Sequence, residues 1–312
     1  MKRDFPRLLE VDGAEITVLV DNYTDLFVPS QTSVDVRPPF APDRPLLAEH
    51  GLSCYILLHA NGKEHAILMD TGLSCGCMLR NAMQRNINLE TIEAVVLSHG
   101  HFDHTGGLVP LLRMAGHQVP LVLHPDAFLR RRLKSPGKEP VDLPQLDAVL
   151  LKQEGADILV HSGPSLLASG HLIVTGEIER TVAFEKGFPG MEARVGEQWV
   201  PDQILDDQGL VIHIKGKGLI VLSGCAHAGI INTIRYAQKI TGIHHIHTVM
   251  GGFHLTGSLF EPVITPTVKA MKEIKPDYVI PMHCTGWNAI NRFFTEMPEN
   301  CILNTVGTTY CL

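Results

Sequence analysis

Residues 93–107, EAVVLSHGHFDHTGG, decide how the chain is read. The first six are an apolar, β-branched run of the kind that forms a buried strand. The remainder sets His99, His101, Asp103 and His104 within six positions, in the spacing HxHxDH. A regular helix would spread these four side chains around its circumference, and a regular strand would divide them between two faces. The spacing therefore suits a loop leaving a strand end, with Thr105, Gly106 and Gly107 opening a helix beyond it. Neutral imidazoles and carboxylates are ligands for zinc, iron or manganese. A catalytic site keeps one position open for water, whose pKa falls toward about 7 on zinc. The competing readings are a structural metal site and a set of surface histidines, although a structural zinc more often uses cysteines in closed tetrahedral spacing.

Outward from this stretch the chain alternates between strand and helix patterns. EITVLVDN (15–22), CYILLH (54–59) and HAILMD (65–70) read as strands, the last two joined by a turn at Asn61 and Gly62. A helix is expected over 76–86, another through LVPLLRMAG, then a strand PLVLH (120–124). In the second half DILVHS, HLIVTG, LVIHIK and LIVLSG read as strands and HAGIINTIRYAQKI as a helix. HTVMGG as a strand, a helix near 265–274, YVIPM as a strand and a final helix from 286 complete the pattern. Strand meanders followed by strand–helix alternation in each half imply an α/β fold of two mixed sheets covered by outer helices.

With 312 residues, 45% of them hydrophobic, and no break in composition, the chain is expected to form a single domain over 1–312, interrupted by a proline-rich loop at 28–45. That loop reads as a lid, a dimer contact or irregular covering. The net charge of -7 disfavours a general nucleic-acid binder. Bound divalent metals would nevertheless make a cleft locally positive, so the expected partner is a small-molecule substrate, anionic or phosphorylated. The seven cysteines are an odd number without framework spacing. The opening MKRDFPRLLEVDG lacks the apolar core of a signal peptide, and no apolar run approaches a membrane span. A reducing cytoplasm is the expected location. Cys75 and Cys77 read as ordinary thiols near a helix start. His244, His245 and His247 read as a solvated turn, without a carboxylate partner, and Arg130, Arg131, Arg132 and Lys134 as a solvated helix end.

MDTG (69–72), SHGHFDHTGG (98–107), LSGCAH (222–227) and PMHCTG (281–286) together resemble the metallo-β-lactamase superfamily, in that family's order and across most of the chain. The resemblance implies a four-layer αββα sandwich of two mixed sheets, with metals at one edge between them. LVDNYTD, TGEIER, DDQGLVI, SGCAHAGIINTI, MGGFHL and PMHCTG further resemble the 7,8-dihydropterin-6-yl-methyl-4-(β-D-ribofuranosyl)aminobenzene 5'-phosphate synthase-like branch.

By this resemblance His99 and His101 would bind one metal, Asp103 and His104 a second, and His283 would complete the second site. Many relatives carry a further histidine in a PGHTPG-like turn, but the corresponding VTGEIER here has none. Many also carry a bridging aspartate in TGD, where this chain has Cys225 in SGC. His227, two residues beyond that cysteine, is inferred to replace the missing histidine. Cys225 itself reads as a thiolate ligand, a redox-sensitive neighbour or a small buried residue. Asp70 is expected to orient a ligand histidine rather than bind metal. His254 reads as a substrate contact and proton donor or as packing, and Glu177 and Arg180 as cleft residues or a surface ion pair.

The implied cofactor is one or two divalent metal ions, with zinc expected and iron or manganese as alternatives. The leading expectation is metal-dependent hydrolysis of an ester or phosphoester-type small molecule by a metal-bound hydroxide, with Asp103 orienting the nucleophile and His254 protonating the leaving atom. The alternative is a pterin or ribosyl-phosphate transferase using the same metal centre. An iron-dependent oxidoreductase ranks lower, because no flavodoxin-like second domain accompanies the motif.

Overall fold

Strands that bury both faces are written as unbroken apolar runs, and the chain has two sets of them. In the computed structural model, which describes residues 5–312, one set lies in an eight-stranded sheet. Its order is Ala156–Val160, Val119–Leu123, Ala94–Val96, Lys63–Met69, Ser53–Ala60, Gly13–Val20, Thr309–Cys311, Asp35–Val36. The other lies in a seven-stranded sheet ordered Ser165–Leu167, Leu172–Val174, Gly209–Ile214, Gly218–Ser223, Ile246–Gly252, Tyr278–Met282, with Glu10–Val11 alongside Gly209–Ile214.

The two-residue period of a strand explains how these runs are used. Along Gly218–Ser223, Ile220 and Leu222 face the other sheet, where they join Ile16, Ile56, Ile67 and Val96. Leu219 and Val221 face outward and pack with residues of the helices Ile230–Thr241, Glu261–Ile274 and Trp287–Glu296. On the far side Leu68, Val95 and Leu121 pack with the helices Cys77–Gln84, Leu108–Ala115 and Ala148–Gln153. The result is the expected four layers, helix, sheet, sheet, helix.

Lys63–Met69, Ala94–Val96, Val119–Leu123 and Ala156–Val160 run parallel, as do Gly218–Ser223, Ile246–Gly252 and Tyr278–Met282. Their carboxyl ends meet along one edge, where Gly224 lets the sheets approach. A Cβ at that position would collide with Ser98 Oγ. The proline-rich stretch 28–45 is largely irregular, and its Asp35–Val36 closes the edge of the larger sheet against Thr309–Cys311.

Two features depart from expectation. Residues 131–133 form a strand rather than a helix end, within a small sheet ordered Gln198–Pro201, Met191–Val195, Arg131–Leu133, Val141–Asp142. Arg131–Leu133 is held by pairing with Met191–Ala193, some sixty positions away, so no local period announces it. The final helix, in turn, stops at Glu296, and the chain returns to the larger sheet as Thr309–Cys311. Among the described residues no helix is long and apolar enough to cross a membrane.

The inter-sheet core sets the stability. Ile212→Ala is expected to lower it by about 2–5 kcal/mol, through lost burial and an unfilled cavity. Chemical denaturation of variant and parent checks the value, and a loss below about 1 kcal/mol would mean the layers relax into the space.

Candidate metal centre

Each chemically distinctive side chain sits just past a parallel strand. Asp70 follows Met69, the segment Leu97–His101 follows Val96, Gly224–His227 follows Ser223, His254 comes two residues after Gly252, and His283 follows Met282. Ligands collect at such carboxyl ends because the adjoining loops are free of ladder hydrogen bonds. Asp70, Ala226, His254 and His283 all adopt left-handed backbone, with φ of 59°, 54°, 45° and 52°. Each such residue costs about 1–3 kcal/mol, so their surroundings must hold them there.

Two sets of donors converge. His99 Nε2 lies 2.9 Å from His101 Nδ1 and 3.2 Å from His227 Nε2. Beside them Asp103 Oδ2 lies 3.3 Å from His283 Nε2 and 3.8 Å from His104 Nε2. Cys225 Sγ stands 3.1 Å from His104 Nε2. Its donor atom lies within 4.8 Å of those of Asp103, His104 and His283 and, in a second group, of His99 and His227, while His101 lies outside both groups and meets them through His99. Asp103 and His104 are carried by one helical turn, Phe102–Thr105, so the HxHxDH segment is a loop that closes into a helix.

The hydrogen bonds behind the rings aim their lone pairs at this space. The Asp70 carboxylate accepts from Ser98 N, Ser98 Oγ and His104 Nδ1, at 2.7, 2.7 and 2.6 Å. Ser98 Oγ, having given its proton to Asp70, accepts from His99 Nδ1 at 2.9 Å. His283 Nδ1 donates to Asn22 Oδ1 at 3.2 Å. In His99, His104 and His283 the proton is therefore held on Nδ1, leaving Nε2 free for a ligand bond. Asp70 thus has the orienting part expected of it.

Charge states follow from burial. Burial and neighbouring imidazoles hold His99 and His227 well below the ordinary histidine range, and burial with the Arg131 guanidinium brings His101 down to about 3. Burial opposes a charge on His104 as well, but Asp70 and Asp103 outweigh it and raise that ring to about 9. The set offers the neutral rings of His99, His101 and His227, a carboxylate and a thiol, with His104 the ring that must give up a proton to bind a cation, while His101 Nε2, His227 Nδ1 and His283 Nε2 are buried without hydrogen-bond partners. A cation could satisfy buried ring nitrogens of this kind, and nitrogen, oxygen and sulfur donors in this combination suit zinc. The residues fit a pair of divalent ions.

The segment DDQG holds the two ligand loops together. Asp206 Oδ2 accepts from Gly100 N, between the first two histidines, at 2.8 Å. Asp207 Oδ2 accepts from Ala228 N, beside His227, at 2.9 Å. Gln208 donates from its backbone to Ser98 O and from Nε2 to Leu97 O. Arg131, almost fully buried, bonds both Asp202 and Asp206, tying the small sheet to the metal loop. On the opposite side Asp21 accepts from His283 N at 2.7 Å. His50, whose side chain is 57% exposed, brings Nε2 to 3.3 Å from Asp103 Oδ2. The sequence assigned no role to Asp21, Asn22, His50, Asp206, Asp207 or Gln208, and Arg131, expected at a solvated helix end, is instead buried in a strand. The usable signal was a run of polar residues directly before or after a fully apolar strand.

An apolar cavity of about 180 Å³ opens beside His227 and His254, walled by Phe184, Phe253, Leu259, Phe260 and Val263. The His254 ring centroid lies 4.4 Å from that of His227 and 4.7 Å from that of Phe260, with Phe188 at 5.0 Å. Glu185 also lines the cavity and accepts from Ile231 N and Asn232 N, both at 2.8 Å, at the start of a helix. Burial pushes its carboxyl up to about 7 against those two bonds.

Several sequence readings are corrected here. His245 and His247 do have a carboxylate partner, Asp277, at 3.1 and 2.7 Å. Arg130, Arg132 and Lys134 pair with Asp142 and Glu192, and Arg180 donates to the carbonyls of Gln203 and Ile204. Glu177 is exposed. Cys75 and Cys77 are, as expected, free thiols near a helix start, Cys75 exposed and Cys77 donating to Leu47 O.

Comparison with known proteins bears on the same frame. The family described as the metallo-beta-lactamase superfamily matches residues 50–230. The 7,8-dihydropterin-6-methyl-4-(beta-D-ribofuranosyl)-aminobenzene-5'-phosphate synthase of Methanocaldococcus jannaschii is 34% identical over 262 residues, 82% of this chain and 87% of that protein. The uncharacterized protein MJ0448 of the same organism is 30% identical over 261 residues, 83% of this chain and 92% of its own. The crystal structure of Tm1679, described as a metal-dependent hydrolase of the beta-lactamase superfamily, shares the fold. Its TM-score is 0.74 at 24% identity, covering 95% of this chain and 98% of that one.

Two expectations follow. Asp206→Asn turns an amide N–H toward Arg131 and weakens the hold on Gly100, so zinc affinity should fall about 10–100-fold in a competition titration with a chromogenic chelator. Unchanged affinity would remove Asp206 from the support of the metal loop. Glu185 keeps its proton in the fold up to about 7, whereas the unfolded chain releases it near 4.5. Its contribution to stability is therefore greatest below the unfolded value and declines as pH rises through the folded one. Glu185→Gln, which lacks this titration, should be less stable than the parent at low pH, with the gap narrowing toward neutrality in denaturant unfolding. A gap that widens with pH would contradict the assignment.

Proposed function

This chain belongs to the metallo-beta-lactamase superfamily, and on that footing we propose that it is a metal-dependent hydrolase of a small ester or phosphoester. The reading rests on one observation: two sets of buried donors sharing Cys225 converge beside an apolar cavity. His99, His101 and His227 would hold one divalent ion, and Asp103, His104 and His283 a second, with Cys225 available to both. Zinc is the metal this donor set favours. When bound, the ions supply Lewis acidity toward a substrate oxygen and a water of lowered pKa.

The chain's own residues do the rest. Asp103, bracketed by His50, His104 and His283, is held far below the usual carboxylate range by their attraction, which outweighs the opposing effect of burial, so it stays an acceptor that orients the attacking oxygen. His254, between the donors and the cavity, is positioned to pass a proton to the leaving atom. Phe188 and Phe260 form an apolar wall that excludes water from that atom and receives the less polar end of the substrate. His50, exposed at the opposite side of Asp103, suits an anionic group.

A second reading is group transfer, with an acceptor taking the place of water. It is supported by the name of the 34% identical relative, a synthase, and by the aromatic wall, which would accept a planar ring. The two readings part on product analysis: oxygen-18 from solvent enters the product of hydrolysis and not that of transfer.

His101→Ala is expected to abolish metal loading at the first set and hydrolysis together. Elemental analysis and turnover of phosphoesters, lactones and pterin conjugates check this. Normal turnover by a metal-depleted variant would overturn the proposal.

A further inference from the structure

A third group of donors touches the metal centre and shares one member, Cys225, with both sets. Cys225, His254 and Cys284 bring one donor atom each within 4.8 Å of one another. They come from the ends of three adjacent strands, Gly218–Ser223, Ile246–Gly252 and Tyr278–Met282, whose parallel register aligns Ser223 with Gly251 and Gly252 with Met282. Both cysteines are free and buried, 2% and 4% exposed.

The gap between the thiols depends on a glycine. A Cβ on Gly252 would lie 2.7 Å from Cys284 Sγ and 3.3 Å from Cys225 Cα, so any side chain there would push the two apart. Cys284 Sγ approaches the carbonyl of Cys225 at 3.7 Å. His254 contributes a buried Nδ1 without a hydrogen-bond partner, on a backbone held at φ 45°. Buried cysteines commonly serve as small apolar residues. Two of them beside one imidazole make a different object, because two sulfurs and a nitrogen form a softer donor set than the nitrogen and oxygen groups next door. Nothing in hydrolysis calls on Cys284.

We propose that Cys225, Cys284 and His254 form a subsite for a thiophilic closed-shell cation, such as cuprous copper or cadmium, distinct from the two divalent positions. Binding exchanges each thiol proton for a metal–sulfur bond, with the protons released to solvent and no change of oxidation state. The subsite shares Cys225 with the metal pair and takes His254 from the cavity wall, so its occupation draws one ligand and one pocket residue out of the catalytic arrangement. Soft cations then act as competitors of the working state.

The test uses the full chain, stripped of metal and titrated with cadmium alone. Cadmium-113 resonance of the parent protein is expected to show an ion bound by two sulfurs, distinct from ions bound by nitrogen, oxygen and at most one sulfur. Thiolate-to-cadmium absorbance should fall to roughly half in Cys284→Ser, which leaves all six His and Asp donors of the metal pair in place. Zinc bound by those six should be retained in that variant. A parent spectrum without any two-sulfur species would overturn the proposal, and so would an absorbance unchanged by Cys284→Ser. The resonance measurement requires no variant, so it decides the matter even if the substitution disturbs folding.

Discussion

Ring nitrogens of His101 and His227 come to 2.9 and 3.2 Å from His99 Nε2 among buried side chains, and the rest of the structure holds them there. A buried polar group without a partner is costly. Such an arrangement persists only if the scaffold is stiff and a cation can lie among the donors. The two sheets supply the stiffness, through a shared apolar interior. The loops at their carboxyl ends carry the donors without ladder hydrogen bonds to satisfy. Asp70, Asp206 and Asp207 spend their acceptor capacity on keeping these loops in register.

Much of this was legible in the sequence because its cause is local. HxHxDH after an apolar run fixes a strand, a loop and four donors within a dozen residues. The uniformly apolar runs LIVLS and YVIPM mark strands buried on both faces, which put His227 and His283 at strand ends. What escaped notice depends on partners far along the chain. Arg131 sits in a basic run that looks solvated, yet it is buried by carboxylates more than seventy positions away. His247 seems unpartnered until Asp277 folds beside it. His50 precedes a strand with nothing to announce it, and it reaches Asp103 only because Leu52 N bonds to Asp103 O across the loop.

Strain and charge are concentrated where the chemistry is. Four non-glycine residues in left-handed backbone lie among the donors, and carboxylates stabilise the protonated forms of His104 and of the neighbouring His50. Elsewhere the layers are regular and their cores apolar. The fold therefore separates two tasks: the inter-sheet and helix-covered cores secure the stability that the strained edge gives up. Cys225 gives that edge a particular character, since a thiol is a softer donor than a carboxylate and stands within reach of a second thiol.

The central claim is that this edge holds divalent metal through His227 as well as through the HxHxDH loop. A zinc-soaked crystal examined by anomalous scattering at the zinc edge tests it most directly. The account predicts two peaks, one about 2.0–2.1 Å from nitrogens of His99, His101 and His227, and the other bonded to Asp103, His104 and His283. Zinc bound through the HxHxDH loop with His227 turned away, or no zinc at the edge at all, would contradict it.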